Sequence, residues 1–420
     1  MGCCVEMNEL SYWVWLSQAF AYGSEQPRKL LEHFASPKDI YEAEEDTLRH
    51  LNLLKEEQLN ALRHTSLSRA EEILADCTRK NIQVIPFSSD AYPARLRNIF
   101  GAPMVLYVLG KLGDIDHEPA LAVVGTRTAS SYGAYATETL CRQLAEAGLT
   151  IVSGCAVGID AAAHGGALQA GGRTIGVLGC GLDINYPAEN RDLKRRILKD
   201  GALISEFPPG TRPSGQLFPV RNRIISALSL GVLVTEAPQK SGALITAEHA
   251  IEQGKDVFCL PPHDIFDARY TGVAKYLRDG AIPVFSAQDV LFEYLSDYPH
   301  KLDSDAILEA FRTQKAPSQP KAKRAYQQAQ RFQHKDEKVP TDQPAVTELE
   351  WDEAFGEDYK KIFHLLNDAP QMIDDLVTKS ELPMYLVLSA LTELEIAGYV
   401  TSLAGNRYQR AANVRLKESQ

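Results

Sequence analysis

The spacing of apolar residues predicts short helices at the start of the chain. Across residues 1–81 apolar side chains recur at helical intervals, as at Leu30 and Phe34, and Pro27 and Pro37 separate one short helix from the next. We assign this segment to a small helical domain of the SAM or helix-hairpin-helix type. A packing or interaction role is favoured, and a helix-hairpin-helix contact with DNA is the alternative.

From residue 82 to residue 297 the pattern changes to short apolar segments that alternate with amphipathic helical segments. Apolar strands separated by helices are typical of a parallel sheet covered on both faces. We therefore predict an α/β, Rossmann-like, doubly wound parallel sheet. Because such sheets bind ligands where their strands end, the loops after the strands are the place for a site. The predicted strands are 121–124, 150–152, 174–178, 202–204, 232–235, 257–260 and 282–285, and the predicted helices include 134–147, 161–169, 190–198 and 243–253.

Residues 298–350 lose this periodicity. They are rich in proline, glutamine and mixed charges, which predicts a flexible linker. A small basic cluster lies within it, formed by Lys321, Lys323 and Arg324. A solvated linker is favoured there over a second contact with DNA.

Residues 351–420 read as three helices and a hairpin with Gly405 and Asn406 at its turn, a winged-helix-like arrangement. The third helix of such a domain reads DNA when the domain binds DNA. Residues 382–396, which form that helix, contain no lysine or arginine. This composition favours contact with a protein over contact with a DNA groove.

Charge and composition narrow the possible functions. The formal net charge of −11 argues against general binding of nucleic acid, so any DNA site must be local. No apolar run has the length of a membrane span, and the N-terminal residues lack the layout of a secretory signal, so we expect a cytoplasmic protein without membrane contact. The seven cysteines form no CxxC pair, and we expect neither a metal site nor a disulfide framework.

Two loops after predicted strands suit phosphate groups. In the first, Gly125 lets the backbone approach a phosphate, Thr126 continues the turn, and Arg127 offers a fork of donors. The second begins with Ser153 and Gly154 and leads directly into a helix, whose free N–H groups favour anions. The first loop is not GxGxxG, so a dinucleotide is disfavoured and we expect no cofactor.

Asp160 and His164 lie four residues apart on the helix after the second loop. Such a pair could perform general acid–base chemistry. A helix-capping role for Asp160 and a structural hydrogen bond for His164 are favoured instead.

The segment from Phe218 to Leu228 carries two arginines around an asparagine, directly before an apolar helix. Arg221, Asn222 and Arg223 suit phosphate oxygens, and Phe218 offers a surface on which an unpaired base could stack. A further turn of the same kind contains Lys240, Ser241 and Gly242. Several such loops on one sheet edge fit a nucleic-acid backbone, and the lack of a groove-entering element favours single strands.

The ordered motifs also resemble a known family, that of DNA-processing protein A (DprA/Smf). The resemblance rests on VGTR (124–127), SGCAVGIDAAAH (153–164), VLGCGLDINYPAEN (177–190), SEFP (205–208), FPVRNRIISAL (218–228) and SGALITA (241–247). It covers residues 92–295, and the flanking domains fit the layout of the family.

The resemblance implies a non-catalytic protein that binds single-stranded DNA, protects incoming strands during natural transformation and loads the RecA recombinase. It also implies a homodimer formed through the Rossmann-like domain. Carried over by position, Arg127, Arg221, Asn222 and Arg223 would hold phosphates, above a loop formed by Gly125 and Thr126.

The chain departs from the family pattern at two places. Pro262 stands where the family usually has glycine, and Ala274 and Tyr276 stand where it usually has asparagine and leucine. Nearby His263, Asp264 and Lys275 could supply replacement polar contacts.

Two other classes of function compete with DNA binding. Rossmann-like phosphoribohydrolases of the lysine-decarboxylase-like group carry PGGxGTxxE, with a catalytic glutamate three residues after the threonine. Here the paired glycines are missing and Glu248 follows Thr246 by two residues. The third class, a scaffold without a ligand, is disfavoured by the arginine-containing loops.

Overall fold

The computed structural model describes residues 7–302, 347–349, 356–367, 369–380, 382–397, 399–403, 407–411 and 414–416. Contacts divide the chain into two compact units, Met1–Lys315 and Ala316–Gln420. Most of the predicted linker and the predicted turn at Gly405 and Asn406 lie outside the described residues. The domain boundaries at residues 81, 297 and 350 stay predictions.

Six helices precede the central sheet. Prolines in the first turns of the second and third helices fit there because those N–H groups have no helical partner. Trp15 and Leu16 on the first helix are buried in the same apolar cluster as Tyr107 and Leu203 of the sheet. The helices therefore share a core with the sheet inside one unit. They are α1 (Met7–Ala19), α2 (Gln26–Leu31), α3 (Pro37–Glu42), α4 (Glu45–His50), α5 (Glu56–His64) and α6 (Leu67–Arg79).

The sheet has nine strands: β1 (Gln83–Pro86), β2 (Val105–Gly110), β3 (Ala120–Val124), β4 (Thr150–Ser153), β5 (Thr174–Leu178), β6 (Ala202–Ser205), β7 (Gly231–Val234), β8 (Asp256–Cys259) and β9 (Ile282–Pro283). Their order is β1-β2-β6-β5-β4-β3-β7-β8-β9. The strands from β6 to β9 are parallel, and successive strands run outwards in both directions from β3. This doubly wound order confirms the predicted fold class. The antiparallel addition of β1 and β2 at one edge was not predicted.

Helices cover both faces of the sheet. The face that contains Val124 and Val234 packs against residues such as Ile224 and Leu244, and the other face packs around Leu144. The covering helices are α7 (Ala94–Arg97), α8 (Ser131–Glu146), α9 (Ile159–Gln169), α10 (Arg191–Ile197), α11 (Leu217–Ala227), α12 (Gly242–Glu252), α13 (Thr271–Arg278) and α14 (Ala287–Tyr294). The chain reverses its winding between β3 and β7, which is where ligands bind in doubly wound sheets.

The second unit is a winged-helix domain, as predicted. Its three helices bury Ile362, Leu376 and Leu391 in one cluster, and β13 pairs with β11 on one side and with β12 on the other. The helices are α15 (Glu357–Leu365), α16 (Ile373–Ser380) and α17 (Met384–Ile396). The strands are β10 (Thr347–Leu349), β11 (Gln371–Met372), β12 (Val400–Leu403), β13 (Arg407–Arg410) and β14 (Val414–Leu416).

Candidate nucleic-acid interface

A cleft of about 660 Å³ opens where β3, β4 and β7 end, beside the start of α11. Three separate loops meet there, although they are distant in sequence, because the carboxyl ends of parallel strands share one edge of the sheet. The predicted site residues that line the cleft are Gly125, Thr126, Arg127, Phe218, Arg221, Asn222, Ser241 and Gly242.

Arg127 and Phe218 form a cation–aromatic pair at the cleft. The guanidinium carbon of Arg127 lies 4.8 Å from the centroid of the Phe218 ring. The Phe218 ring packs closely on Gly179, where a Cβ would lie 2.6 Å from the ring. The ring of Tyr186 follows at 5.9 Å from Phe218. Arg127 is exposed, and it forms no ion pair within the described part of the chain.

Arg221 is a buried cation held by neutral groups. Its side chain lies in the interior with the residue only 5% exposed. Nη1 donates to the carbonyl of Gly154 at 2.8 Å and also to the carbonyl of Val177. Burial lowers the pKa of Arg221, and the nearby Asp160 carboxylate opposes that shift. No described carboxylate forms an ion pair with it, and the nearby Asp160 carboxylate offsets only part of its charge, so an anion in the cleft would still meet a positive group.

The loop after β3 depends on close packing against α9. A Cβ at Gly125 would lie 2.6 Å from the Ile159 side chain. The Thr126 N–H donates to the carbonyl of Glu236 at 2.6 Å, which joins this loop to the end of β7. Gly158 has φ +81°, and a Cβ there would lie 2.5 Å from the carbonyl oxygen of Thr126. Glycine is therefore required at both positions for Arg127 to reach the cleft.

Asn222 joins α11 to the start of α12. Its Nδ2 donates to the carbonyl of Gly242 at 3.0 Å, and its Oδ1 accepts from Nε of Arg221 at 3.2 Å. Ser241 caps α12 by accepting the N–H of Ala243. The side chains of Asn222 and Ser241 thus hold the cleft walls in place.

The other predicted site residues lie outside this cleft. The Ser153 hydroxyl is fully buried and donates to the carbonyl of Val123 at 2.6 Å. Gly154 lies behind the guanidinium of Arg221, and Lys240 lines a neighbouring groove. Arg223 is turned into the protein interior.

Arg223 forms a buried ion pair instead of facing the cleft. Its Nη2 lies 2.8 Å from Glu206 Oε1 and 2.6 Å from the carbonyl of Gly101. The reason is that α11 begins at Leu217, so residues 218–223 are helical rather than a loop before the helix. Two positions along a helix differ by roughly 200° in direction, which sends Arg221 and Arg223 to opposite sides.

His164 and Asp160 are engaged in structural hydrogen bonds. Thr174 Oγ1 donates to the carbonyl of Ile151 and lies 2.7 Å from His164 Nδ1, so Nδ1 carries the proton. Nε2 faces the Cys155 thiol at 3.4 Å. Burial lowers the pKa of His164 to about 3, so the ring is neutral.

Asp160 accepts the N–H of Ala156 at 3.3 Å. It is the second residue of α9, and the capping position is occupied by Gly158. Asp160 therefore does not cap the helix as expected. Burial raises the pKa of its carboxyl group, and Arg221 opposes that shift.

Several residues that the sequence did not single out also line the cleft. Thr246 is 1% exposed, and its hydroxyl has no hydrogen-bond partner among the described residues. Asp160 and Tyr186 also line it, and no local pattern places Pro213, Ser214 or Thr246 there.

Two absences hold for the described residues. No group of three or more His, Cys, Asp or Glu side chains there is arranged to hold a metal ion. None of the helices described combines the length and the apolar character that a membrane crossing requires.

Comparison with known proteins identifies the family. Residues 83–295 match DNA recombination-mediator protein A, and residues 342–406 match the DprA winged helix domain. Protein Smf of Synechocystis sp. is 33% identical over 416 residues, which cover 96% of this chain and 99% of that protein. DNA processing protein DprA of Streptococcus pneumoniae is 46% identical over 218 residues, or 51% of this chain and 76% of that protein.

A solved structure agrees with these matches. The X-ray structure of DNA processing protein A from Streptococcus pneumoniae aligns with a TM-score of 0.59 at 36% sequence identity. The alignment covers 67% of this chain and 97% of that one. The chain therefore belongs to the DNA recombination-mediator protein A (DprA/Smf) family.

Proposed function

We propose that this protein binds single-stranded DNA in the cleft between β3 and β7. The observation that carries the proposal is that Arg127 and Arg221, from two distant segments, line one cleft, and neither forms an ion pair within the described residues. Asp160 is the carboxylate that lines the same cleft, and it offsets part of their positive charge. Both arginines would bind phosphate oxygens through their forked donors. The unpartnered hydroxyl of Thr246 supplies one more polar group.

The aromatic side chains at the cleft favour an unpaired strand. Phe218 packs closely on Gly179 and lies beside Tyr186. Only a base that is not paired in a duplex can stack on such a ring. The third helix of the winged-helix domain, α17, contains no cation that would hold a duplex backbone.

The buried polar groups support a binding role rather than nucleotide hydrolysis. Glu248, the residue nearest to the glutamate of the phosphoribohydrolase motif, lines a groove beside the cleft and not the cleft itself. His164 is neutral, fully buried and hydrogen-bonded, so it is not available to a ligand in the cleft. We therefore propose that the protein holds DNA and does not process it chemically.

The family resemblance extends the proposal to partners. We propose that the protein protects incoming single strands in the cytoplasm and loads RecA onto them during natural transformation and recombination. A homodimer formed by the Rossmann-like unit belongs to the same proposal. Ile265, Phe266 and Phe285 are 79%, 89% and 78% exposed, which suits contact with a second copy of the chain.

Fluorescence anisotropy tests the proposed function. A labelled single strand and the corresponding duplex are titrated with the protein over a range of salt concentrations. We expect tighter binding of the single strand, little sequence preference, and a linear fall of log affinity with log salt. Duplex binding that is equal or tighter at matched salt contradicts the proposal.

A further inference from the structure

A second groove, of about 380 Å³, adjoins the cleft at the start of α12. Both are lined by Ser241 and Gly242, so the two spaces meet at this turn. A Cβ built on Gly242 would have no atom within 4 Å, which shows that the passage above the turn is open. The groove is lined further by Gln239, Lys240, Leu244, Ile245, Glu248, Lys275 and Tyr276.

The groove combines cations with an apolar lining. Lys240 and Lys275 are exposed, and neither forms an ion pair within the described part of the chain. Ile245 and Tyr276, both half-buried, supply apolar surface, and the Tyr276 hydroxyl donates to the Leu244 carbonyl at 3.3 Å, which fixes the ring against α12. Glu248 is the carboxylate among the lining residues.

We propose that this groove is a second subsite for the same DNA strand, with Lys240 and Lys275 as phosphate contacts. The inference rests on the proposed function and adds the route that the strand takes beyond the cleft. A strand that fills the cleft would leave over Gly242 and enter the groove. Its sugars and bases would then lie over Ile245 and Tyr276, and its backbone charge would meet the two lysines.

The path predicts a dependence on strand length. An oligonucleotide of roughly 5 nucleotides would occupy the cleft alone, whereas one of roughly 20 nucleotides would reach both subsites. The lysines would therefore matter only for the longer strand. Glu248 would repel the phosphates in the groove, so its negative charge would weaken binding of the longer strand, whereas the two lysines would strengthen it.

The test compares the double variant Lys240→Ala/Lys275→Ala with the unmodified full-length chain on oligo-dT of both lengths. A matched control is Lys111→Ala/Lys199→Ala, which removes two exposed lysines at the opposite edge of the sheet, near the start of β6. The two double variants change the net charge of the protein equally. Any effect of overall charge is thus the same in both.

We expect the groove variant to bind the long strand more weakly, with the slope of log affinity against log salt smaller by about 1.4, or roughly 0.7 per lost contact. Binding of the short strand should not change. The control should match the unmodified protein on both strands, and Glu248→Gln should tighten binding of the long strand alone.

The outcomes separate the two proposals. If the unmodified protein binds neither strand, the proposed function fails and the groove has no ligand. If it binds both strands but the groove variant behaves like the control, the groove inference alone is wrong. An equal loss on both lengths would also contradict it, because the lysines would then act on the cleft.

Discussion

Gly154 and Arg221 are in direct contact beneath the cleft. A Cβ built on Gly154 would lie 2.5 Å from both terminal nitrogens of the guanidinium, and the Gly154 carbonyl accepts a hydrogen bond from Nη1. The glycine at the end of β4 therefore leaves the space in which the cation lies. Because the carbonyls of Gly154 and Val177 hold the guanidinium there, it cannot stay in place if a side chain is added at Gly154.

Replacement of Gly154 should accordingly impair DNA binding. We expect Gly154→Ala to displace the Arg221 guanidinium and to weaken single-strand binding roughly tenfold, or about 1.4 kcal/mol. Gly165→Ala is the matched control, because a Cβ there would meet only a Glu138 carboxylate oxygen at 3.8 Å. Anisotropy titration measures both. Unchanged affinity in a folded Gly154→Ala protein would show that the position of Arg221 is unimportant for binding.

Loss of Arg127 should weaken binding without loss of stability. The side chain is exposed, packs on the Phe218 ring and forms no ion pair within the described residues, so we expect an unchanged melting temperature for Arg127→Ala. Affinity should fall for all sequences alike, and the salt slope should decrease by roughly 0.7. Arg127→Lys should restore part of the affinity, since an ammonium lacks the fork.

The control for Arg127 is Arg142→Ala, which removes a half-buried arginine paired with Glu146 on α8. It should leave the affinity and the salt slope unchanged. If both variants reduce the slope equally, the effect comes from overall charge and not from a phosphate contact in the cleft.

Arg223 should behave in the opposite manner. Arg223→Ala leaves the Glu206 carboxylate buried without its cation, and we expect the free energy of unfolding to fall by about 3 kcal/mol. The salt slope of DNA binding, measured below the melting temperature of the variant, should not change. Chemical denaturation and anisotropy provide the two readouts. Unaltered stability with a smaller slope would place Arg223 among the phosphate contacts.

The buried histidine predicts a dependence of stability on pH. His164 has a pKa of about 3 in the folded protein, whereas an unfolded chain has an ordinary value near 6.5. The stability of the folded protein is therefore unaffected by this group above about pH 6.5, where the ring is neutral in both states. It falls as the pH is lowered from there towards 3, because the unfolded state takes up the proton first. This group alone contributes up to about 1.4 kcal/mol per pH unit in that window.

Denaturation curves at several pH values test this prediction. The difference in stability between the unmodified protein and His164→Asn should change with pH below 6.5 and be constant above it. A constant difference for His164→Asn across the whole range would mean that the buried ring does not resist protonation.

The protein should release no base from nucleoside monophosphates. Glu248 lines the lysine-containing groove and not the cleft. Asp160 is hydrogen-bonded to the N–H of Ala156 and His164 to the Thr174 hydroxyl, so we expect neither to exchange a proton with a nucleotide. Chromatography of incubated nucleotides measures the product. Base release that disappears in Glu248→Ala would establish hydrolase activity and remove the basis for a purely binding role.

Much of the fold could be predicted because it depends on local periodicity. The apolar segments at β3, β5 and β7 and the helices between them follow directly from the alternation of residues. The pairing of β1 with β2 and of β2 with β6 could not be predicted in this way. It is antiparallel and joins segments far apart in sequence, and no local pattern specifies such a partner.

The residues of the candidate site also differ in whether the local sequence could predict them. Gly125, Arg127 and Phe218 could be predicted because they follow strands or begin a helix, and every such loop lies on one edge of a parallel sheet. Thr246 could not, because it lies in the middle of α12, where only the approach of that helix to the cleft makes its hydroxyl available.

The sequence by itself determined the doubly wound order of elements and the presence of arginines beside phosphate-friendly turns, because both are properties of neighbouring residues. Only the tertiary structure decided which arginine faces the cleft. Arg221 and Arg223 are two positions apart in one motif, yet the start of α11 at Leu217 directs one towards Gly154 and the other towards Glu206. The direction of a side chain depends on the helix that carries it and on the neighbours that the fold brings to it.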